Sequence, residues 1–377
     1  MAEFKINIEG NFLDSFIYSG VLFTVDVDGI LCTYSWNDLI KEYIKKDIQK
    51  KCFENKLIDA RVDQGLKFQK DLVIELDRDF LETYQKGICV ELDTWSTDLD
   101  IRDSILYISS ERGLEALPFR ESWENGKIMH FNDLYKVWGE SKVFGVSTGS
   151  WGRTLVAAGC HGALEIINNV EQNNIIDLKQ QEGKVLNEEI CLDCEWELNS
   201  TIAILEKIDE QVLLEYEKLM SDQSFKSYAG DTLEAKEKKL RERDSIPEEE
   251  ISYLREYIKN GIPNNLKNTT VYSWFDGKKL VGLDQDNNSL FYDFDKNEWI
   301  IRNHNKILDE SSYRKIRQTN AGLIIETEDD SLYRKGANSN KLLSKDVSTW
   351  RVFPRSRNYL DRIHIVNEDY LQISIFD

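Results

Sequence analysis

A strand-turn-strand pattern recurs along the chain and limits the available folds more than any other sequence feature. Each copy has three or four apolar residues, a polar turn and a second alternating apolar run. Asp-Gly, Arg-Gly, His-Gly, Asn-Asn and Asp-Asp pairs form the turns, and these residues tolerate the dihedral angles of tight turns. Each copy therefore predicts a β-hairpin. Six clear copies span residues 19–34, 103–117, 152–166, 277–292, 321–333 and 361–375.

The spacing of the copies indicates the size of the repeating unit. The apolar residues after the six turns lie 83, 50, 126, 42 and 39 residues apart, at Leu31, Leu114, Leu164, Leu290, Leu332 and Leu371. The shortest gaps match one blade of a β-propeller, about 40–50 residues. A weaker copy at residues 71–82 lies inside the first gap of 83 residues, which is close to the length of two blades. The gap of 126 residues contains a different kind of sequence at residues 206–260, and without it 71 residues remain, again near two blades. The spacing predicts about seven blades.

The pattern resembles β-propeller blades in general and covers most of the chain outside the predicted helices. It lacks the Gly-His and Trp-Asp marks of the WD40 type and the paired glycines of the kelch type, so no residue roles are transferred. The resemblance implies a mainly β ring whose face and central mouth bind something. Residues 4–8 alternate as a strand does, and we expect them to close the ring by pairing with the C-terminal blade. A β-sandwich with a separate helical domain is the alternative.

Two segments show helical rather than strand periodicity. Ile204, Ile208, Val212 and Tyr216 recur at helical spacing, and residues 245–248 have the form of a capping box. The predicted organisation is a first propeller part at 1–199 with a short helical insert at 36–52, a helical insertion at 200–261, and the remaining blades at 262–377. Such insertions project from one face of a propeller and are candidate contact sites.

Charge and cysteine usage restrict the class of partner and the compartment. A net charge of −20 opposes binding to nucleic acid and to anionic membranes, which are themselves negative. No run approaches the 18 apolar residues of a membrane-spanning helix. Six irregularly spaced cysteines in a long chain without a signal-like start favour free thiols in a reducing cytosol. The sequence therefore predicts an acidic cytoplasmic protein with no membrane partner.

The usual signatures of enzymes are missing from the sequence. It contains no phosphate-binding glycine loop, no G-x-S-x-G and no H-E-x-x-H. Cys191 and Cys194 have metal-ligand spacing but no second pair nearby, and His161 is interpreted as a turn residue. Residues 26–29 and 284–288 resemble calcium loops, but they are better interpreted as solvated turns. We predict no catalytic residue, no metal and no cofactor.

A basic stretch interrupts the acidic chain. Residues 311–360 contain ten Lys or Arg against five acids. One interpretation is a face for phosphate, nucleic acid or an acidic protein, and the other is pairing with acids of the same ring. A Gly-flanked loop at 147–153 also presents residue types that dominate interfaces. The candidate interaction residues are Trp151, Arg153, Arg314, Arg317, Arg351, Arg355 and Arg357.

These features lead to three hypotheses of function. The first is a non-enzymatic scaffold or inhibitor that binds a protein partner through a propeller face, the helical insertion and the basic sector. The abundance of Lys, Asn, Ile and Glu suggests a bacterial origin, for which a role in defence or toxin neutralisation is an association only. The alternatives are a propeller hydrolase with a divalent metal in the central mouth and a nucleic-acid-associated protein that binds through residues 311–360.

Overall fold

A computed structural model describes most of the chain. The described residues are 2–45, 48–62, 65–84, 89–122, 127–139, 141–149, 153–167, 169–170, 176–177, 182–198, 200–216, 263–266, 269–277, 279–306, 313–336 and 340–376. Trp151 and most of the predicted helical insertion, residues 217–261, lie outside them.

The described residues form seven blades around a central channel, so the prediction of a mainly β propeller is confirmed. From the innermost strand outward, blade 1 contains β2 (Phe12–Tyr18), β3 (Val21–Asp26), β4 (Ile30–Ser35) and β6 (Val90–Glu91). In the same order, blade 2 contains β7 (Ser96–Arg102), β8 (Ile105–Ser110) and β9 (Gly113–Ser122), and both β10 (Lys127–Phe131) and β11 (Tyr135–Trp138) pair with β9; blade 3 contains β12 (Gly145–Thr148), β13 (Arg153–Ala157), β14 (Ala163–Ile167) and β17 (Lys184–Asn187). A separate hairpin pairs β15 (Asn169–Val170) with β16 (Ile176–Asp177).

The remaining blades follow the same inner-to-outer order. Blade 4 contains β18 (Asp193–Trp196), β19 (Ile202–Glu206), β20 (Gln211–Tyr216) and β21 (Pro263–Asn265). Blade 5 contains β22 (Tyr272–Asp276), β23 (Lys279–Leu283), β24 (Asn288–Asp293) and β25 (Glu298–Lys306). Blade 6 contains β26 (Tyr313–Thr319), β27 (Gly322–Thr327), β28 (Leu332–Lys335) and β29 (Asn340–Ser344). Blade 7 contains β30 (Thr349–Val352), β31 (Arg362–Val366), β32 (Tyr370–Phe376), β1 (Glu3–Glu9) and β5 (Leu72–Leu76).

Both ends of the described chain meet in blade 7 and close the ring. Strand β1 pairs antiparallel with β32 along its whole length, which is the pairing that the sequence predicted for residues 4–8. Strand β5 then pairs with β1 in parallel, although it comes from an insertion in blade 1. Phe4, Ile6 and Ile8 of β1 are fully buried, so this closure is apolar as well as hydrogen-bonded.

The insertion in blade 1 carries the described helices. They are α1 (Trp36–Ile44), α2 (Ile48–Lys51), α3 (Glu54–Ile58) and α4 (Arg78–Thr83). Helix α1 begins where the Ser35 hydroxyl accepts a hydrogen bond from the Asp38 amide, 3.3 Å away. Residues 71–82, interpreted above as a weak hairpin, form β5 and α4 instead. The 83-residue gap therefore holds one blade with an insertion rather than two blades.

The helix predicted from Ser200 is wrong where the structure describes it. Residues 202–206 and 211–216 are the strands β19 and β20 of blade 4. Ile204 and Leu213 face each other as cross-strand partners, and Ile208 lies in the turn between the strands. The turn, Lys207–Glu210, contains none of the Gly or Asn residues that mark turns, so the hairpin was mistaken for a helix.

Two of the six cysteines are paired, so the expectation of six free thiols is wrong. A disulfide joins Cys32 of β4 to Cys89, next to β6, and it encloses the whole insertion of blade 1. The other four cysteines are not disulfide-bonded. Such bonds are typical of oxidising compartments, which does not favour the predicted reducing cytosol. None of the helices in the described part of the chain is long and apolar enough to cross a bilayer.

The innermost strands of neighbouring blades run in the same direction. Asp98 and Asp100 of β7 accept hydrogen bonds from the amides of Val146 and Thr148 of β12, at 2.9 and 2.7 Å. Because each blade is an antiparallel meander, the turn between its second and third strands lies at the end where the innermost strand begins. We call this end of the ring the entry face.

Candidate functional site: the central channel and the entry face

The channel is a cavity of about 540 Å³ lined by the innermost strands. Its walls follow from strand periodicity, since alternate residues point to opposite sides. In β7, β18 and β26, Leu99, Cys194 and Ile316 are buried between blades, while their charged neighbours face the channel. We define an acidic wall, from blades 2 and 4, and a basic wall, from blades 6 and 7. The acidic wall consists of Asp98, Asp100, Asp193 and Glu195. The basic wall consists of Lys315, Arg317, Arg351 and Arg355.

Ion pairs cross the channel between the two walls. Arg351 Nη2 lies 2.7 Å from Asp14 Oδ2 and 2.8 Å from Asp98 Oδ1, and its Nη1 donates to the Leu99 carbonyl oxygen at 2.6 Å. Arg355 Nη2 lies 2.7 Å from Asp100 Oδ2. Blade 7 is therefore tied to blades 1 and 2 by two guanidinium groups.

A second set of pairs connects blade 6 to blade 4. Lys315 Nζ lies 2.7 Å from Asp193 Oδ2. Arg317 lies 3.3 Å from carboxylate oxygens of Asp193, Glu195 and Glu206. These contacts span blade 5, whose innermost strand contributes nothing to the described cavity lining.

Burial and pairing set the protonation of the acidic wall. Burial raises the pKa of Asp98 and of Glu195 above the usual values, although Arg351 and Arg317 oppose the shifts. Burial also acts to raise the pKa of Asp193, but Lys315 and Arg317 beside it hold that pKa below its usual value. The wall is therefore a set of partly buried acids balanced by cations.

Acids and cations of the channel are paired with one another. Its carboxylates face Lys and Arg rather than one another, and among the described residues no three His, Cys, Asp or Glu side chains are grouped to hold a metal ion. A basic ligand would have to displace an existing ion pair to bind here.

The two calcium-like segments are ordinary turns. Asp284 Oδ1 accepts hydrogen bonds from the amides of Asp286 and Asn288, at 2.9 and 2.8 Å. Asp26 makes the same two bonds with the amides two and four residues further on. Both carboxylates are thus used to fix Asx-turns, as the sequence suggested.

The described part of the basic stretch is mostly internal, which favours pairing within the ring over an exposed face. Arg317 is 8% exposed, and Arg351 and Arg355 are held in the channel by the pairs described above. Arg314 is half-exposed, yet it contacts Glu326 at 3.1 Å and Asp330 at 2.5 Å. Arg357 is exposed in the segment between β30 and β31 and has no ion pair with a described residue. Pairing within the ring is therefore the better interpretation.

Arg153 is also internal, so the expected loop-tip position is wrong. It lies in β13 and is 2% exposed. Its Nε is 2.5 Å from Glu165 Oε1, and its guanidinium stacks over the Tyr216 ring at 3.8 Å from the centroid. Tyr216 donates from its hydroxyl to Glu165 Oε2 at 2.6 Å. Arg153 thus joins blade 3 to blade 4.

Sequence reasoning missed a row of exposed apolar side chains on the entry face. Each stands immediately before the innermost strand of its blade, in four consecutive blades. We call these residues the apolar arc: Trp95, Phe144, Leu192 and Val271, which are 64%, 38%, 39% and 47% exposed. Their shared position relative to the strands is a signal, but it can be recognised only once the strand boundaries are known.

No protein-family model and no curated protein matches the chain. Solved structures that resemble it include one titled "YCF48 bound to D1 peptide". That chain is 9% identical, with a TM-score of 0.49, and the match covers 100% of this chain and 96% of that one. No residue roles can be transferred at this identity, so function must be inferred from the side chains of this chain.

Proposed function

We propose that this chain is a non-enzymatic protein-interaction module that binds its partner with the entry face. The apolar arc is the observation that supports this most directly. An exposed apolar group costs free energy in water unless another surface covers it. Apolar groups that gather on one part of a surface and are rimmed by polar residues are typical of interaction sites.

The distribution of exposed apolar residues supports the choice of face. Thirteen large apolar side chains are exposed among the described residues. Seven lie at the entry face: the apolar arc, Val27, Ile190 and Ile208. Five lie on outermost strands, and one, Val62, lies in the insertion of blade 1. The opposite face, apart from that insertion, has none in the described part of the chain.

Paired charges in the channel support the same choice. The four cations of the basic wall already contact carboxylates, so they are poor candidates for recognising a partner without rearrangement. A partner on the entry face could instead cover the apolar arc while the channel pairs stay intact. Truncating an anchor of this kind weakens binding by roughly 1–3 kcal/mol.

Site-specific photo-cross-linking tests this proposal. A photoreactive phenylalanine analogue replaces Phe144 in cells that produce the protein, and a matched variant carries it at Ile301, 51% exposed on the outer strand β25. We expect one discrete cross-linked protein from position 144 and none from position 301. The same products from both positions, or a product with twice the mass of this chain, would overturn the proposal.

A narrower form of the proposal names the role of the partner. In this form the chain is a scaffold or inhibitor that holds a toxin inactive in bacterial defence, and its richness in Lys, Asn, Ile and Glu is the observation that supports it. Identification of the protein cross-linked at position 144 tests this form. A partner with no toxic effect when it is produced alone would contradict it.

A further inference from the structure

The entry face carries a ring of acidic turns outside the apolar arc. These are the turns between the second and third strands of the blades, at residues 26–29, 111–112, 158–162, 207–210, 284–287, 328–331 and 367–369. They contain twelve carboxylates and two basic side chains, a formal charge of −10. Six of the seven turns contain at least one acid, so half of the net charge of the chain is concentrated here.

Much of this negative charge is not paired with a cation of the described residues. The two basic side chains of the turns are already used, since Arg112 pairs with Asp93 and Lys207 pairs with Glu189 and Glu210. Several acids are exposed and have no ion pair with a described residue. They are Asp28, Asp209, Asp286, Glu328, Glu368 and Asp369. The turns around the apolar arc therefore carry a surplus of negative charge, and the nearest cation among the described residues is Lys142, whose Nζ lies 5.0 Å from the centroid of the Phe144 ring and 3.6 Å from Glu111.

The one turn without an acid lies beside the apolar arc. In blade 3, the ring of Phe144 packs so closely on Gly159 that a Cβ there would lie 2.6 Å from a ring carbon. Cys160 and His161 complete this turn, and both are exposed. An apolar contact at Phe144 is thus flanked by acidic turns in blades 2 and 4.

We infer that the partner presents a cationic amphipathic segment, with apolar side chains on the apolar arc and Lys or Arg on the acidic turns. This inference rests on the proposed function and adds the chemistry of the partner. Unlike charges attract across an interface and determine both the encounter rate and the register. A second copy of this chain, an anionic membrane and nucleic acid would all bring like charge to this face.

A pair of synthetic peptides tests the charge of the partner. One fluorescein-labelled peptide alternates Lys with Leu and Trp, and the other has Glu in place of every Lys. A length of about 12 residues spans roughly 40 Å when extended, enough to cross several blades. Fluorescence anisotropy at about 0.15 M salt measures the affinity of each peptide for the full chain. We expect the cationic peptide to bind at least about tenfold more tightly.

Matched double variants separate the face from the net charge. Asp209→Lys with Asp286→Lys reverses two acids of the entry face. Asp295→Lys with Glu298→Lys changes the net charge equally, but these residues lie at the opposite end of blade 5. We expect the first variant to bind the cationic peptide roughly fivefold more weakly or worse, and the second to change affinity by less than about twofold. Unchanged melting temperatures confirm that both variants fold, and Asp→Asn versions of the first pair should give a smaller loss.

The outcomes distinguish this inference from the proposed function. Equal binding of the two peptides, absence of binding, or equal losses in the two double variants would overturn the cationic partner. A discrete cross-link from position 144 would still support an interaction module in each of those cases. The reverse result, specific peptide binding at the acidic turns without any cellular cross-link, would support the inferred surface chemistry and contradict the proposed use of the face.

Discussion

Arg153→Met tests whether Arg153 is a structural residue of the ring rather than a contact for a partner. The substitution leaves Glu165, 1% exposed, without its cation, and only the Tyr216 hydroxyl remains as a described hydrogen-bond donor. Removal of one partner of a buried pair typically costs 3–5 kcal/mol, because the remaining charge is not solvated. With an unfolding entropy of about 0.8 kcal/mol/K for a chain of this length, the melting temperature should fall by roughly 4–6 °C.

Thermal unfolding followed by circular dichroism measures this change, and a double variant identifies its cause. Arg153→Met with Glu165→Leu removes both charges, so we expect it to be closer to the wild-type protein than Arg153→Met alone. Arg78→Met is a matched control because the Arg78–Glu82 pair is exposed, with side chains 59% and 52% accessible. It should cost less than about 0.5 kcal/mol. Equal small losses in Arg153→Met and Arg78→Met would refute the reasoning.

Three further changes probe the channel, the disulfide and a turn. In urea titrations, Arg351→Met should destabilise the protein less at pH 5 than at pH 8. Burial raises the pKa of Asp98, and loss of the Arg351 cation raises that pKa further, so Asp98 is protonated at low pH and no longer needs a cation. A loss of stability that does not depend on pH would contradict this. Reduction of the Cys32–Cys89 bond, which spans 57 residues, should lower the free energy of unfolding by about 4 kcal/mol and the melting temperature by roughly 5 °C. An unchanged melting temperature in dithiothreitol would show that the bond is not formed. Gly113→Ala should lower the free energy of unfolding by at least about 2 kcal/mol, because φ of Gly113 is +113° and a Cβ there would lie 2.2 Å from a carbonyl oxygen of the neighbouring strand. An unchanged melting temperature would refute this expectation of backbone strain.

Local turn chemistry made most of the fold predictable from the sequence. The six predicted hairpins coincide with the second and third strands of blades 1, 2, 3, 5, 6 and 7. Blade 4 was missed because Asp209 is the only turn-favouring residue of its turn, Lys207–Glu210, and the flanking apolar residues also fit helical spacing. The position of β5 at the edge of blade 7 could not be predicted either, because it depends on parallel pairing with β1, whose residues lie almost 70 positions away in the sequence.

The candidate site was less predictable, because it depends on which charges meet across the ring. The sequence shows that residues 311–360 are basic, but strand periodicity alone does not say that Lys315 and Arg317 point into a channel lined by acids. The distances to Asp193 and Glu206 decide between an exposed sector and an internal network. The apolar arc was missed for a similar reason, since its members are single residues in loops of unrelated sequence.

The parallel pair of β1 and β5 affects the order in which the ring can be assembled during synthesis. Both strands are synthesised before β32, the antiparallel partner of β1, which follows β5 about 300 residues later, roughly 15–60 s at usual translation rates. During that interval the growing chain must protect the free edge of β1 from pairing with other chains. The last strands of blade 7 then dock on an edge that is already in place, so a ribosome-bound intermediate that lacks β30 to β32, residues 349–376, should be the species most in need of a chaperone.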